Sequence, residues 1–303
     1  MSRFIGSTPF AALLSILAVF SLEVNGEGPP RLADTHLHWK WNQKEVTEPQ
    51  QAINILRDNN VALAVVAGTP PELALELQQL APEIVIPIYG VYQDSVNWSN
   101  WYRDKELLGR VRQALESGRY FGIGELHMIS GFITDWKHPN ISGLFELAAE
   151  FDLPVLVHTE FSRADYLIGF CSAHSKTRFL WAHAGSVLPP GEVARALRRC
   201  TNLNVELSAR DPWRHVGKRI VDDTGVLKDK WRDLVIAHPN RFMIGSDPVW
   251  PVEQLNPWDE PDTGWQYLSR FLGFHREWLR QLPTEVAQKV RYENAMDYFN
   301  WLP

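Results

Sequence analysis

Short apolar runs alternate along the chain with longer stretches in which apolar residues recur every three or four positions. The short runs are rich in Val, Ile, Leu and Phe and predict β-strands at residues 32–38, 61–67, 84–90, 121–125, 154–158, 179–183, 203–207 and 242–247. The longer stretches predict helices at residues 49–59, 71–80, 105–117, 141–151, 163–171, 191–199, 216–237 and 265–279. Strands that alternate with helices in this way indicate a parallel sheet.

Eight strand–helix units in a chain of this length predict an α/β fold, a single-domain (β/α)8 TIM barrel. No Gly/Ser-rich linker, low-complexity tract or block of charge divides the chain. A doubly wound open sheet is the alternative, but no Gly-x-Gly-x-x-Gly motif follows the first strand to support it. In a barrel the carboxyl ends of the strands gather at one mouth, and a functional site is expected there.

The N-terminal segment is excluded from the predicted barrel. Arg3 precedes an almost wholly apolar run at residues 10–20, and Val24-Asn25-Gly26 offers small residues suited to signal-peptidase cleavage. The run is too short to span a bilayer comfortably, so residues 1–26 are predicted to be a signal peptide, with an uncleaved anchor as the rival. Residues 27–303 would then form the barrel of a periplasmic or secreted protein with no stable membrane span.

The charge of the chain argues against one class of partner, and its two cysteines raise the question of a disulfide. The 303-residue chain has a formal net charge of −6 and no basic stripe, which argues against nucleic acid because phosphate backbones bind clustered Lys and Arg. A small-molecule substrate is expected instead, and an oligomer stays open. Cys171 and Cys200 each follow a helix-like stretch; two separate buried thiols are favoured over a disulfide, which is not excluded.

Polar residues with metal-binding chemistry end several of the predicted strands. His36 and His38 close the first strand, where side chains at i and i+2 point to the same face and can grip one ion together. Four further imidazoles and carboxylates end the fourth, fifth, sixth and eighth strands: Glu125, His158, His183 and Asp247. Each has an ordinary explanation alone, such as a cap or a solvated charge. Together, without thiols, they indicate zinc or another divalent first-row ion.

These motifs resemble those of the amidohydrolase superfamily of metal-dependent barrels and, within it, the amidohydrolase-related (amidohydrolase 2) family. The resemblance covers essentially the whole chain after the leader. The matching motifs are Asp34-Thr35-His36-Leu37-His38, Leu153-Pro154-Val155-Leu156-Val157-His158, Trp181-Ala182-His183-Ala184-Gly185, Met243-Ile244-Gly245-Ser246-Asp247-Pro248, and the tail from Leu282-Pro283-Thr284 to Glu293-Asn294-Ala295.

The resemblance implies a role for each site residue. His36, His38, His158 and Asp247 would bind metal, and His183 would bind a second metal or polarise the substrate. Glu125 resembles the carboxylate that bridges two metals in the TatD-like branch, so one or two divalent ions, Zn first among them, are implied. Asp247 would take a proton from a metal-activated water, and His183 would stabilise the developing oxyanion.

Residues beyond the predicted ligands have less specific patterns. Glu160 lies two positions beyond His158 and faces the pocket or forms a structural salt bridge. Arg210 follows the seventh strand and is a candidate clamp for a substrate carboxylate, with a surface arginine as the rival. Five tryptophans on the predicted loops would rim a pocket or pack the loops onto the barrel: Trp98, Trp101, Trp213, Trp250 and Trp258. His127 carries no motif but lies close to Glu125.

The leading hypothesis is a metal-dependent hydrolase that cleaves an amide, lactone or ester bond in a small molecule. The alternative is a metal-dependent decarboxylase of an aromatic or unsaturated acid on the same barrel. A nuclease of the TatD kind shares Glu125 but is disfavoured by the acidic charge. A non-catalytic binding protein would lack a ligand, whereas every ligand position of this chain is filled.

Overall fold

The computed structural model describes residues 30–94, 99–214, 218–251 and 260–301. The predicted signal peptide at residues 1–26 lies outside this range, as do Trp98 and Trp258, so the predictions on them stay predictions. Among the described residues, no helix has the length and apolarity needed to cross a membrane.

The described chain contains eight parallel strands, as the alternating pattern predicts. In chain order they are β1 (Leu32–Lys40), β2 (Val61–Thr69), β3 (Val85–Ile88), β4 (Ile123–His127), β5 (Pro154–His158), β6 (Arg178–Trp181), β7 (Leu203–Glu206) and β8 (Phe242–Met243). They form a three-stranded sheet, β1-β2-β3, and a five-stranded sheet, β4 to β8, each in sequence order. The parallel α/β architecture is therefore confirmed.

The helices of the described residues lie in the connections between strands and after the last strand, β8. They are α1 (Trp41–Lys44), α2 (Pro49–Asp58), α3 (Glu72–Leu80), α4 (Leu107–Glu116), α5 (Pro139–Glu150), α6 (Ala164–Ala173), α7 (Pro190–Arg199), α8 (Asp229–Ala237), α9 (Leu268–Leu279), α10 (Thr284–Gln288) and α11 (Asn294–Tyr298). Most begin and end within two or three residues of the predicted bounds.

The predicted helix at 216–237 is the main difference, because it starts only at Asp229. The residues before it form a turn in which the Asp222 carboxylate accepts hydrogen bonds from the backbone of Thr224 and Val226, and Gly225 has a φ of 85°. Asp that bonds the backbone two residues onward favours a turn over a helix. The sequence pattern did not separate this turn from the helix that follows.

The two sheets meet at two seams without forming a closed ladder. At one seam Tyr89 bridges to Ile123, and its backbone N–H donates to Gly122 at 2.8 Å. At the other, the backbone N–H of Thr35 donates to the carbonyl of Ile244 at 3.0 Å. Among the described residues, hydrogen bonds cross both seams without forming a ladder between named strands, so the two sheets do not close into a barrel.

Apolar side chains cover both faces of the strands, as expected for a parallel sheet with helices outside. Alternate residues of β2 and β3, such as Leu63, Val65, Ile86 and Ile88, belong to one cluster, which Phe299 also joins. The other apolar strand residues pack with the helices in a larger cluster. The polar residues of the site lie beyond these clusters, at the carboxyl ends of the strands.

The two cysteines are joined in a disulfide. Cys171 on α6 and Cys200 just after α7 have Cα atoms 6.0 Å apart, within the range that a disulfide requires. The expectation of two separate buried thiols is therefore wrong. Sequence spacing does not reveal that α6 and α7 pack side by side, and this packing brings the two residues together.

Candidate metal centre

The structure brings all six predicted ligands to one place at the carboxyl ends of the strands. His36 and His38 lie on β1, Glu125 on β4 and His158 on β5, while His183 and Asp247 follow β6 and β8. The set is His36, His38, Glu125, His158, His183 and Asp247. All are buried except His38 and Asp247, whose side chains are 12 % and 15 % exposed. These two residues therefore mark the side on which the site meets solvent.

Glu125 occupies the middle of the cluster. Its Oε2 lies 3.2 Å from Nε2 of His38 and 3.5 Å from Nε2 of His36. Its Oε1 lies 2.9 Å from Nδ1 of His158 and 3.4 Å from Nε2 of His183. One carboxylate thus faces a different pair of imidazoles with each oxygen.

Asp247 faces both histidine pairs from the open side. Its Oδ1 lies 3.5 Å from Nε2 of His38, and its Oδ2 lies 3.9 Å from Nε2 of His183. Asp247 has a φ of 45°, in the left-handed region that non-glycine residues rarely adopt, and its N–H donates to the carbonyl of His36 at 2.7 Å. Strained backbone of this kind concentrates at functional sites.

The donor set fits a divalent ion by chemistry and by spacing. Tetrahedral ligands about 2.0–2.1 Å from a zinc ion lie roughly 3.3 Å from one another, close to the separations around Glu125. Three groups of donors have ligand atoms within 4.8 Å of one another: His36, His38 and Glu125; Glu125, His127 and His158; and His36, His183 and Glu206. Nitrogen and oxygen donors without thiols suit zinc, manganese and similar ions.

Opposite charges set the protonation of the cluster. Burial disfavours the ionised form of Glu125, but His36 and His158 outweigh it and hold the pKa of this carboxyl well below its usual range. Burial likewise lowers the pKa of His158, yet the Glu125 carboxylate raises it overall to about 10. The carboxylates are therefore ionised near neutral pH, and a cation that binds here must displace protons from imidazole.

Comparison with known proteins identifies the family. The model of the amidohydrolase family matches residues 122–301, which is more than half of the chain. The chain belongs to the amidohydrolase family. No curated protein matches the sequence at a significant level.

Solved structures of amidohydrolases and related proteins share this fold. An Escherichia coli K12 protein described as the TatD homolog YJJV has a TM-score of 0.62 at 16 % identity, over 90 % of this chain and 98 % of that one. An amidohydrolase from Burkholderia multivorans with bound Zn has a TM-score of 0.58 at 16 % identity, over 90 % and 100 %. A 5-carboxyvanillate decarboxylase from Novosphingobium aromaticivorans, complexed with manganese, has a TM-score of 0.50 at 13 % identity, over 82 % and 79 %. At these identities the likeness establishes the fold.

Glu206 is a site residue of this amidohydrolase that the sequence analysis missed. It ends β7 and is fully buried, and its Oε1 lies 2.9 Å from Nδ1 of His36. Ser208 hydrogen bonds both Glu206 and Nδ1 of His183, the latter at 2.8 Å. The signal was present, because Glu206 ends its strand as Glu125 and His158 do near the ends of theirs. It lacked a neighbouring motif to draw attention to it.

His127 has a place beside the cluster as well. Its Nε2 lies 3.8 Å from Oε2 of Glu125, and its Nδ1 lies 2.7 Å from the hydroxyl of Tyr92. Burial lowers the pKa of His127 to about 3, so its ring is neutral at physiological pH. Among the described residues, His127 is the histidine beyond the predicted ligands that lies within 4 Å of the Glu125 carboxylate.

The two predicted substrate residues occupy different surroundings. Glu160 lies at the cluster, with its Oε2 3.3 Å from Nε2 of His158. Arg210 is buried, and its guanidinium donates to backbone carbonyls, including those of His183 at 2.7 Å and Ala184 at 2.8 Å. Arg210 thus hydrogen bonds the loop after β6. Its role as a clamp for a substrate carboxylate stays a prediction.

The described tryptophans also differ in their surroundings: one is buried, and two are half-buried. Trp101 is fully buried and packs against Tyr92 and Tyr102. Trp213 and Trp250 are half-buried, and Arg270 stacks over Trp213 at 4.0 Å. Trp101 thus packs its loop onto the fold, while the other two lie on loops after β7 and β8.

Proposed function

We propose that this chain is a metal-dependent hydrolase, built as a (β/α)8 barrel, that cleaves an amide, lactone or ester bond in a small molecule. The position of Glu125 carries the proposal, because its two oxygens face two separate histidine pairs, His36 with His38 and His158 with His183. Two sites that share one carboxylate accommodate one or two divalent ions. Zinc suits the donors best, and the metals named for the similar structures, Zn and manganese, agree with this class.

Hydrogen bonds behind two of the proposed ligands orient their rings for metal binding. Nδ1 of His36 faces the Glu206 carboxylate, and Nδ1 of His183 faces the Ser208 hydroxyl, whose proton is donated to Glu206. Protons on these Nδ1 atoms leave both Nε2 lone pairs for a metal. His183 is therefore proposed as a ligand, and its alternative role as an oxyanion donor is secondary.

Asp247 is proposed as the general base. When bound, the metal would lower the pKa of a water molecule towards neutrality and polarise the substrate carbonyl. The Asp247 carboxylate is ionised because His36 and His183 hold its pKa low despite burial. With 15 % of its side chain exposed at the open side of the cluster, the Asp247 carboxylate would accept the proton from water and pass it to the leaving group.

The experiment combines metal analysis of the purified protein with one substitution. We expect one or two divalent ions per chain, and a loss of turnover of about 10²–10⁴-fold in Asp247→Asn across a panel of amides, lactones and esters. Asp233→Asn, which changes an exposed carboxylate on α8, is the matched control and should keep full activity. Retained turnover in Asp247→Asn, or no divalent ion after reconstitution, would overturn the proposal.

A decarboxylase on the same site is the second candidate. It is favoured by the fold shared with the decarboxylase from Novosphingobium aromaticivorans and by a histidine and carboxylate set that either reaction can use. Fold alone does not choose the reaction. Release of carbon dioxide from aromatic or unsaturated acids, without uptake of water, would establish this candidate in place of the hydrolase.

The mature protein is proposed to comprise residues 27–303 and to act in the periplasm or outside the cell. The Cys171–Cys200 disulfide supports this location, since structural disulfides persist mainly in oxidising compartments. The N-terminal sequence of the exported protein and its cell fraction would test it. A protein that keeps residues 1–26 and stays in the cytoplasm would contradict the proposal.

A further inference from the structure

We propose that the end of β7 and the loop after it form a positioning frame for the metal centre, although this segment supplies none of the predicted ligands. The frame consists of three buried charged residues, Glu206, Arg210 and Arg214. Each contacts a ligand residue, or the backbone that carries one, on a different part of the site. The inference rests on the proposed metal site and assigns these residues a role in orienting it.

Glu206 orients two histidines at once. Its Oε1 accepts from Nδ1 of His36 at 2.9 Å and from the backbone N–H of His183 at 2.7 Å, while its Oε2 accepts from the backbone N–H of Ser208 at 2.6 Å. A buried carboxylate with all these donors is fixed in place. It thereby fixes the ring of His36 on β1 and the backbone of His183 after β6, two strands that are not neighbours in chain order.

Arg210 holds the loop on one side of β7. Its Nε donates to the carbonyl of His183 at 2.7 Å, and its Nη2 donates to those of Ala184 at 2.8 Å and Leu188 at 3.0 Å. His183 and Ala184 have φ values of 56° and 48°, an unfavourable conformation for residues with a Cβ. The planar guanidinium of Arg210 therefore binds the carbonyls of both residues that have this unfavourable conformation.

Arg214 holds the loop on the other side. It donates to the carbonyl of Ser246 at 2.8 Å and to that of Asp247, whose own φ is 45°. Asp211 lies 2.7 Å from the guanidinium and compensates its charge, and the guanidinium stacks on the ring of Phe271 at 3.8 Å. Arg214 therefore hydrogen bonds the backbone carbonyl of Asp247 as Arg210 does that of His183.

The chemistry of the side chains explains why arginine occupies both positions. A guanidinium presents several N–H donors in a rigid plane, whereas the single ammonium of lysine cannot span two carbonyls in the same geometry. Residues that orient metal ligands from behind typically change metal affinity about 10–100-fold when they are replaced. The frame should therefore control ligand geometry without contacting the ion.

The first test measures zinc affinity by competition with a chromophoric chelator in Glu206→Gln, Arg210→Lys and Arg214→Lys. We expect zinc to bind about 10–100-fold more weakly in each variant. Arg241→Lys is the matched control, because Arg241 also donates to two backbone carbonyls, those of Cys200 and Leu203, but near the amino-terminal ends of β7 and β8. Equal losses in the control would show a general stability effect and overturn the frame.

The second test needs no metal. The amide of Asp247 is hydrogen bonded to the carbonyl of His36, and in the metal-free protein we expect its hydrogen exchange to be at least about tenfold faster in Arg214→Lys than in Arg241→Lys. In Glu206→Gln, the Nδ1–H proton of His36 should lose its downfield shift in the ¹H NMR spectrum, because a Gln amide is a weaker acceptor than the carboxylate. Unchanged exchange and an unchanged shift of this proton would overturn the frame even if zinc binds.

The two tests separate this inference from the proposed function. If the wild-type chain binds no divalent ion but the changes in amide exchange and in the His36 Nδ1–H shift appear, the proposed function fails and the frame stands as an orienting device. If zinc binds and Asp247→Asn is inactive, but the three frame variants bind zinc like wild type, the frame fails and the proposed function stands.

Discussion

His275 gives a quantitative prediction about stability that does not depend on the metal. The residue lies on α9 and is buried; its Nε2 donates to the carbonyl of Gly245 at 2.8 Å, and its Nδ1 accepts from Trp278 at 3.1 Å. Both ring nitrogens are engaged by the neutral tautomer, and burial lowers the pKa of His275 to about 4. The unfolded chain would titrate this group near pH 6.5, as an ordinary histidine does.

The sign and size of the effect follow from that difference. Because the pKa is depressed in the fold, its contribution to stability is fully present above about pH 6.5 and is lost as the pH falls through about 4. A pKa difference of this size corresponds to about 3 kcal/mol of unfolding free energy over that range. This is a large share of the stability of a typical domain.

The perturbation is His275→Gln, which keeps an amide donor for Gly245 but does not titrate. Urea unfolding of metal-free wild type and variant at pH 7 and pH 4 measures the effect. The loss of stability between the two pH values should be about 3 kcal/mol smaller in the variant, whereas the difference at pH 7 reports only altered hydrogen bonding and packing. The same pH dependence in both proteins would refute the reasoning.

Two further predictions concern the backbone around the site and the disulfide. A Cβ on Gly245 would lie 2.7 Å from Cβ of His36 and 2.8 Å from Oε2 of Glu206, so Gly245→Ala should displace His36 and lower activity about 10²-fold. The control is Gly109→Ala, which has open space around its Cβ and should keep its activity. Full activity in Gly245→Ala would contradict the predicted clash. The Cys171–Cys200 bond closes a loop with a sequence separation of 29, so its removal by double Ser substitution should cost about 3–4 kcal/mol in urea unfolding; a reductant should affect only wild type, and a wild type that is insensitive to it would argue against the bond.

The strand and helix pattern was largely predictable because it depends on local periodicity. Strand β5 has the predicted bounds, Pro154–His158, and the others differ by a few residues. The exception is β8, predicted at 242–247 but observed only as Phe242–Met243. The residues after Met243 no longer pair with β7; Ile244 and Asp247 instead hydrogen bond the backbone of β1, and Asp247 adopts a left-handed conformation. These are tertiary contacts that periodicity does not record.

The ligand residues were also visible in the sequence, since imidazoles and carboxylates at strand ends are rare without a purpose. Their supporting residues were not. In the sequence, Arg210 and Arg214 resemble any other arginine on a loop. Only their burial and the backbone carbonyls that they contact distinguish them. Glu206 was missed because no neighbouring motif marks it, although it lies in the strand predicted at 203–207 and ends the observed β7.

The sequence by itself determined which elements form and which side chains stand at their ends, because side-chain periodicity and residue chemistry are properties of short segments. The tertiary structure alone decided that the Glu125 carboxylate faces two histidine pairs and that α6 and α7 bring Cys171 and Cys200 together. It also decided that the loop after β7 hydrogen bonds the loops after β6 and β8. Those arrangements depend on distances between residues far apart in the chain, and such distances are set by how the sheets and helices pack.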